Sequence, residues 1–461
     1  MAGAAALLAL SLAACSRSGT PSSSPNSSDS TTVSPASIAP VSPGGTATVA
    51  LPAGVALSYI FPFISAASVN EYNTVGFQEL MYRPLYYFGG NNNSVAINYP
   101  LSTAHAPVYS DGGKTVTITM KGWKWSDGET VDAADLVFWL NMMKAEKANY
   151  YGYLPGLIPD NLASYSATGP ETMVIHVKST VSDIWFTYNQ LAELTPMPLA
   201  WDITKAGATP GSGGCTTDSV KDRWARCIAV YNYLSGLAKD ANGYASSPTW
   251  AVVDGPWRLS KFSTEGSVTF VPNMAYSGFP KPELDAVQLV PYADDVTEYT
   301  GLRNGAVDVG YIPPGDLARV SDSEVLPTTD PLGTAYTLVP DYQYGIQYYV
   351  INFLNRTAGP VFSQLYVRQA LQEVMNQEGM IKAIDNGYGY PSSGAIPQEP
   401  ASPWIPSIQG ENGGQGPYPF SVAKATALLT GHGWSEVGGV MTCERPGTGS
   451  TECGASITKG A

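Results

Sequence analysis

The sequence predicts a mixed α/β fold divided between two or three domains. Three observations support this. Strand-like and helix-like segments alternate along the chain without a steady spacing or an internal repeat. The length of 461 residues exceeds what one domain of ~150 residues would need. A hydrophobic content of 44% is ample for buried cores, so overall disorder is excluded.

Alternating polar and apolar residues indicate half-buried strands, and β-branched residues are frequent among them. The clearest is residues 114–121, which follow an Asp-Gly-Gly turn. Residues 345–353 differ, because nine largely apolar residues rich in Tyr, Val and Ile predict a strand buried on both faces. The other predicted strands are residues 46–51, 173–178, 268–271, 287–290 and 307–309.

Apolar residues at helical spacing predict helices. The helix at residues 132–140 has an acidic first turn, which the positive end of the helix dipole favours. In the last predicted helix, residues 421–430, Ser421 is the N-cap and Gly431 ends the helix. The other predicted helices are residues 77–87, 297–303 and 367–375.

The charge excludes several classes of partner. Lys and Arg number 24 against 38 Asp and Glu, a net charge of −14, and no cluster of Lys or Arg occurs in the sequence. Nucleic acids and anionic membrane surfaces require a positive footprint. We therefore expect neither as a partner, whereas neutral and cationic ligands remain compatible.

The amino terminus predicts export. Residues 2–14 form an apolar stretch too short to span a membrane, as in a signal peptide. Small residues before Cys15 resemble a lipobox, so residues 1–15 are expected to be a lipoprotein signal whose cysteine is acylated. The alternative is an ordinary secretory signal with a coincidental cysteine. No basic residue precedes Arg17, so we expect the true start to lie upstream of Met1. Residues 16–45 are rich in Ser, Pro and Thr and predict a disordered tether.

The remaining cysteines form two close pairs, Cys215 with Cys227 and Cys443 with Cys453. In an oxidising compartment this spacing predicts two local disulfides, expected to close surface loops. Neither pair has the Cys-x-x-Cys spacing of redox or zinc sites. Because the three histidines lie far apart in sequence, no metal site and no cofactor is indicated; they are His105, His176 and His432.

Catalytic motifs are incomplete. Ser421-x-x-Lys424 lacks the Lys-Thr-Gly partner motif of penicillin-recognising enzymes, and Ser421 is better explained as a helix cap. Gly113-Lys114-Thr115 lacks the first glycine of a phosphate loop, because position 108 is Val. A glycosidase pair among the scattered carboxylates stays open, so a secreted glycan hydrolase is one alternative.

Aromatic residues are concentrated in loops beside Gly and Pro. Any one of them is more often core than ligand contact, but loop clusters cannot all be core. The residues concerned are Tyr59, Phe61, Phe63, Tyr150, Tyr151, Tyr153, Tyr342 and Tyr344.

Several segments, taken in order, resemble the family 5 extracytoplasmic solute-binding proteins of ABC importers, the dipeptide, oligopeptide and nickel receptors. Residues 114–138 are similar to the family's strand, W-S-D-G turn and helix, here with Trp125, Ser126, Asp127 and Gly128. Weaker similarities follow at residues 254–259, 273–276, 303–308, 367–371, 387–397 and 423–434.

The resemblance implies two α/β lobes of the type II periplasmic-binding-protein kind, which close on a ligand by hinge motion. Lobe I would be residues 46–334, including an extra subdomain, and lobe II residues 335–461, with a hinge near 331–333. The expected ligand-binding residues are Phe63, Ser65, Tyr151, Tyr153, Tyr344, Tyr348 and Asn352.

The resemblance also implies function. We expect a monomeric, lipid-anchored receptor outside the cytoplasmic membrane that binds peptides, passes them to an ABC permease and catalyses nothing. Receptors for oligosaccharides or nickel chelates share this fold, and a purely structural lipoprotein is a further alternative. The family's W-x-x-D-Y segment, which holds the peptide amino group, does not occur before Ala461. We therefore expect a fragment with an incomplete lobe II.

Overall fold

The structure, a computed structural model, describes residues 43–89, 96–217, 222–263, 265–320, 331–333, 335–339, 345–399 and 402–461. Cys15, residues 16–42 of the predicted tether and Tyr344 lie outside these ranges. The helices are α1 (Glu71–Asn73), α2 (Glu79–Met81), α3 (Ala133–Glu146), α4 (Asp183–Asn189), α5 (Arg223–Leu237), α6 (Asp295–Arg303), α7 (Ala358–Phe362), α8 (Leu365–Val374), α9 (Gln377–Ile384) and α10 (Val422–Gly431). The strands are β1 (Thr46–Ala50), β2 (Val108–Ser110), β3 (Thr115–Thr119), β4 (Leu162–Ala167), β5 (Thr172–Val177), β6 (Trp257–Phe262), β7 (Val268–Pro272), β8 (Ala286–Val290), β9 (Trp434–Val437) and β10 (Val440–Cys443).

The chain divides into two units between Tyr311 and Ile312. The sequence predicted the end of lobe I at residue 334, which lies outside the described residues, so that boundary stays a prediction. Within the described residues, no helix is both long and apolar enough to cross a membrane.

The first unit contains a four-stranded mixed sheet in the order β1-β8-β7-β6. β1 pairs in parallel with β8, with Thr46 opposite Ala286, and the other pairs are antiparallel. The alternation predicted from the sequence is present in β7, where Val268 and Phe270 have no exposed surface. This face of the sheet is therefore part of the core.

A second four-stranded sheet, wholly antiparallel, has the order β2-β3-β5-β4. Its central strands bury Val116, Ile118 and Ile175 completely. Helix α3 begins after Asp132, whose side chain accepts hydrogen bonds from the backbone N–H groups of Ala134 and Asp135. The acidic start predicted for this helix is thus a complete capping box.

The helix predicted at residues 77–87 has different bounds. It begins at Glu71, passes through a π-helical segment, Thr74–Gln78, and ends at Met81. Tyr82 is already extended, and Pro84 disfavours helical backbone angles at Arg83, so the helix does not resume there. π-Helical segments are rare and concentrate at functional sites.

In the second unit, α8 packs against α10, and β9 and β10 form a hairpin. The buried strand predicted at residues 345–353 is wrong. These residues have no strand structure, no described strand pairs with them, and Tyr349 and Val350 are each 83% exposed. Without a paired neighbour an extended apolar segment gains no ladder hydrogen bonds, so its composition alone does not make it a strand.

Both local cysteine pairs form disulfides, Cys215–Cys227 and Cys443–Cys453. All four cysteines have no exposed surface, whereas the residues between Cys443 and Cys453 are mostly exposed, so a buried bridge closes an exposed loop there. Cys227 lies within α5, and each pair packs inside one of the two hydrophobic cores. Half-cystines behave here as small apolar core residues.

Candidate functional site

The structure brings together two of the loops that the sequence singled out. The backbone N–H of Tyr151 donates a hydrogen bond to the carbonyl of Ile64 at 2.9 Å. Beside this bond the ring centroid of Phe63 lies 5.0 Å from that of Tyr150 and 5.4 Å from that of Trp139. One backbone hydrogen bond and a packed aromatic cluster therefore hold the loop after Phe63 against the Tyr150–Tyr153 turn.

The π-helical segment anchors the first of these loops. Gln78, its last residue, is 3% exposed, and its side-chain amide donates to the carbonyls of Tyr59 and Phe61 at 3.1 Å each. Buried carbonyls without partners are costly. Gln78 supplies that partner and fixes the backbone just before Phe63.

Phe63 itself has no exposed surface. Its ring supports Tyr150 from the core side, and its predicted part in ligand binding stays a prediction. Ser65, two residues on, is partly exposed, and its hydroxyl lies 3.4 Å from that of Ser68. The partly exposed residues of this loop therefore begin at Ser65, after the buried rings of Phe61 and Phe63.

Tyr150 and Tyr151 differ sharply in exposure, at 7% and 38%. The hydroxyl of Tyr150 donates to Oε2 of Glu193 at 2.9 Å. Burial is the main cause that raises the pKa of both tyrosines well above the ordinary value, and the nearby Glu193 carboxylate raises both further. Both phenols therefore remain protonated at neutral pH, and Tyr151 presents its ring at the surface.

Two carboxyl groups, which the sequence analysis did not single out, accompany Tyr151. Burial raises the pKa of Glu79 to about 7, with a further increase from Glu193 and an opposing effect of Arg83. Burial likewise raises the pKa of Glu193, against the Tyr150 hydrogen bond that lowers it. Both side chains keep accessible surface. They can accept hydrogen bonds from a polar or cationic group.

Arg83 lies behind Glu79 and is 7% exposed. Its guanidinium carbon is 4.3 Å from the ring centroid of Tyr87, and its backbone N–H donates to Oδ1 of the buried Asp254 at 2.9 Å. Burial raises the pKa of Asp254 to about 7, although Arg83 opposes that increase. This group of charges is interior and supports the segment that carries Glu79.

The side chain of Tyr153 contacts other residues than the side chain of Tyr151 does. Its hydroxyl donates to Oδ2 of Asp160 at 2.7 Å, and the ammonium of Lys147 lies 4.9 Å from its ring centroid. The structure therefore separates Tyr153 from Tyr151, although they are two residues apart. Its part in ligand binding stays a prediction.

The predicted residues of the second unit lie in its extended segment. Tyr348 is 60% exposed, and Asn352 is also exposed, with its Oδ1 accepting from the backbone N–H of Leu354 at 3.0 Å. Tyr344 lies outside the described residues. Across the described part of the chain, no group of three or more His, Cys, Asp or Glu side chains could hold a metal ion.

Comparisons with known proteins bear on this site. Protein XP55 of Streptomyces lividans is 23% identical over 337 residues, 73% of this chain and 50% of its own length. The oligopeptide-binding protein OppA of Bacillus subtilis is 24% identical over 295 residues, 62% of this chain and 47% of its own. The chain thus spans about half the length of the curated relatives it matches.

Solved structures share the fold. The oligopeptide-binding protein AppA from Bacillus subtilis, in complex with a nonapeptide, superposes with a TM-score of 0.52 and 17% identity, over 87% of this chain and 67% of AppA. NikA from Brucella suis, in complex with Fe(III)-EDTA, gives a TM-score of 0.55 and 18% identity with the same two coverages. The α/β fold expected for this kind of binding protein is confirmed.

The match to a family covers most of the chain. Residues 99–452 correspond to the bacterial extracellular solute-binding proteins, family 5 Middle. This range includes the Trp125 turn and the α8 helix, on which the sequence resemblance rested, and also the Tyr150–Tyr153 turn. The chain belongs to the family 5 bacterial extracellular solute-binding proteins.

Proposed function

We propose that the intact protein is a receptor that captures a peptide outside the cytoplasmic membrane and delivers it to the permease of an ABC importer. Family 5 solute-binding proteins are extracytoplasmic, non-enzymatic components of transporters. The observation that carries the proposal is the paired loop: the N–H of Tyr151 donates to the carbonyl of Ile64, and Tyr151, 38% exposed, lies near Glu193. A flat apolar ring next to a carboxylate suits a peptide, which combines apolar side chains with N–H donors.

Within this proposal the ligand contacts are Tyr151 and Ser65, with Phe63 packed beneath them. Glu79 and Glu193 would accept hydrogen bonds from ligand N–H or ammonium groups. From the second unit we propose Tyr344, Tyr348 and Asn352 as further contacts, and Tyr153 as a contact from the first. Each of these is an individual proposal that substitution can test.

The same proposal includes a lipid anchor at Cys15 and a monomeric receptor. Support for the anchor is the lipobox-like sequence before Cys15, followed by the Ser/Pro/Thr-rich tether. Radiolabelled palmitate should enter the wild-type protein and not Cys15→Ala. Equal labelling of both would remove the anchor from the proposal.

A metal-chelate receptor is the second candidate, because NikA with Fe(III)-EDTA has a TM-score similar to that of the peptide-bound AppA. Native mass spectrometry of the full-length protein, purified without denaturation, separates the two candidates. Bound masses that fragment as peptides support the peptide receptor. Bound metal complexes, or sugars, would replace it.

A matched pair of variants makes the experiment specific to the proposed loop. Tyr151→Ala should lose most of the co-purified ligand. Tyr299→Ala removes a similar partly buried ring from α6, distant in sequence and packed beside Arg303, and should retain it. If both variants retained the co-purified ligand equally, Tyr151 would not belong to the binding site. The class of the ligand would still follow from the mass spectrum of the wild-type protein.

A further inference from the structure

A cationic depression lies at one end of α3 in the first unit. It has a volume of about 460 Å³ and is lined by Lys144, Lys147, Pro159, Asp160, Leu162, Ala163 and Lys178. Three lysines line it, although the protein carries a net charge of −14. Lys144 and Lys147 lie close in sequence, in α3 and directly after it, and the fold brings Lys178, which follows β5, beside them.

Asp160 is the acidic residue of this lining, and both of its carboxylate oxygens already have partners within the protein. Its Oδ1 pairs with Lys147, and its Oδ2 accepts from the hydroxyl of Tyr153 at 2.7 Å and the N–H of Gly156 at 3.4 Å. Its backbone carbonyl accepts from Lys178 at 2.6 Å. The Asp160 carboxylate therefore balances one of the three ammonium groups, that of Lys147, and the Asp160 backbone carbonyl holds a second, that of Lys178.

Lys144 has no such partner among the described residues. Its ammonium makes no hydrogen bond or ion pair there and lies 5.3 Å from the ring centroid of Tyr165 and 5.6 Å from that of Trp224. Burial lowers the pKa of Lys144, and the like charges of Arg223 and Lys178 lower it further. The rings of Tyr165 and Trp224 therefore lie near the Lys144 ammonium, and the charges of Arg223 and Lys178 are close enough to lower its pKa.

The helix dipole explains only part of this arrangement. Cations are favoured at a helix C-terminus, which accounts for Lys144 and Lys147 at the end of α3. It does not account for Lys178, which follows β5. An external anion would compensate the charges of Lys144 and Lys178.

We propose that this depression binds a multivalent oxyanion of the phosphate type, with Lys144 and Lys178 as its principal contacts. Ammonium groups suit such a ligand, because they bind phosphate as point charges without requiring a planar geometry. The oxyanion could be free phosphate or the phosphate of a lipid head group. Of the proposed peptide contacts, Tyr153 touches this lining through Asp160 and Lys147, whereas Lys144 and Lys178 are not among those contacts.

Isothermal titration of the full-length protein with inorganic phosphate at low ionic strength tests the site. Lys144→Gln and Lys178→Gln should each weaken binding about 10-fold, the loss expected for one charged hydrogen bond. The control Lys261→Gln removes an exposed charge from β6 and should leave binding unchanged. Lys144→Arg, which keeps the charge, should retain most of the affinity, and circular dichroism checks that each variant is folded.

Co-sedimentation distinguishes the two sources of phosphate. Binding to phosphatidylglycerol vesicles but not phosphatidylcholine vesicles, lost in Lys144→Gln, would assign a lipid head group. Phosphate binding without vesicle binding would assign a free anion. Absence of phosphate binding at millimolar concentration, or equal weakening by Lys261→Gln, would overturn the proposal.

Discussion

The hydroxyl of Tyr150 donates a hydrogen bond to Oε2 of Glu193 at 2.9 Å, and the backbone carbonyl of Glu193 lies 3.3 Å from the same hydroxyl. This contact spans 43 residues of sequence. It fixes the ring that precedes Tyr151 and places the Glu193 carboxylate against the turn. The conformation of the turn and the ionisation of Glu193 are therefore linked.

Gly152 allows this close approach. A Cβ atom there would lie 2.8 Å from Cε1 of Tyr150 and 2.9 Å from Oε2 of Glu193. We expect Gly152→Ala to displace the turn, to destabilise the protein by about 1–3 kcal/mol and to weaken ligand binding. Urea unfolding and a binding titration measure the two effects.

Gly169→Ala is the matched control, since nothing lies within 4 Å of its added Cβ and its backbone angles are ordinary. It should change neither quantity. Similar losses in the two variants would show that the turn is not closely packed against Glu193.

The second prediction concerns the pKa of Glu193. The Tyr150 hydrogen bond lowers that pKa against the increase caused by burial. Tyr150→Phe removes the donor, so the pKa of Glu193 should increase further. Carboxyl-detected NMR titration measures it directly, and an unchanged or lower pKa would contradict the contact.

The third prediction is a pH dependence of stability. Asp254 has a pKa of about 7 in the folded protein against an ordinary value of 3.8. The folded state therefore binds this proton more tightly than the unfolded state. The contribution of this proton to the free energy of unfolding is fully present below about pH 4 and is lost as the pH rises to about 7. It amounts to about 1.4 kcal/mol per unit of difference between the folded and unfolded pKa values.

Asp254→Asn keeps the acceptor for the Arg83 N–H but cannot titrate, so the decrease in the free energy of unfolding between pH 4 and 7 should become shallower. Part of it should persist, because the raised pKa of Glu79 acts in the same direction. Urea unfolding across this pH range checks both statements. A slope identical to wild type would exclude Asp254 as its source.

The fourth prediction concerns the start of α3. Nε1 of the buried Trp125 donates to Oδ2 of Asp135 at 2.8 Å, and the N–H of Asp132 donates to the same oxygen at 3.1 Å. Trp125→Phe leaves that buried carboxyl without one donor and should cost about 2 kcal/mol of stability. Trp224→Phe, at a 38% exposed ring, should cost about 0.5 kcal/mol or less. Equal costs would show that the Trp125 hydrogen bond contributes nothing.

Local patterns predicted what local forces determine. The acidic start of α3 and the alternation in β3 and β5 depend on neighbouring residues, and the structure has both. Residues 345–353 have the composition of a strand, but pairing is a tertiary property, and no described strand lies beside them. Helix α5 was not predicted, because its exposed Trp224 and Ile228 obscure the apolar face.

The same distinction applies to the candidate site. The concentration of aromatics in loops indicated the Tyr150–Tyr153 turn, since loop clusters cannot all be core, and the family resemblance indicated Tyr151 within it. Glu79 and Glu193 carry no sequence signal, because their raised pKa values come from protein packed around them. Lys178 is likewise distant in sequence from Lys144 and Lys147, so the charge count alone did not indicate the depression.

A binding titration tests the central claim most directly. A peptide recovered from the full-length protein is titrated into wild type, Tyr151→Ala and Tyr299→Ala. The account predicts saturable binding that Tyr151→Ala weakens about 10-fold or more, as for an aromatic anchor, while Tyr299→Ala binds as wild type. Binding by Tyr151→Ala equal to that of wild type, or no peptide binding by the wild type, would contradict it.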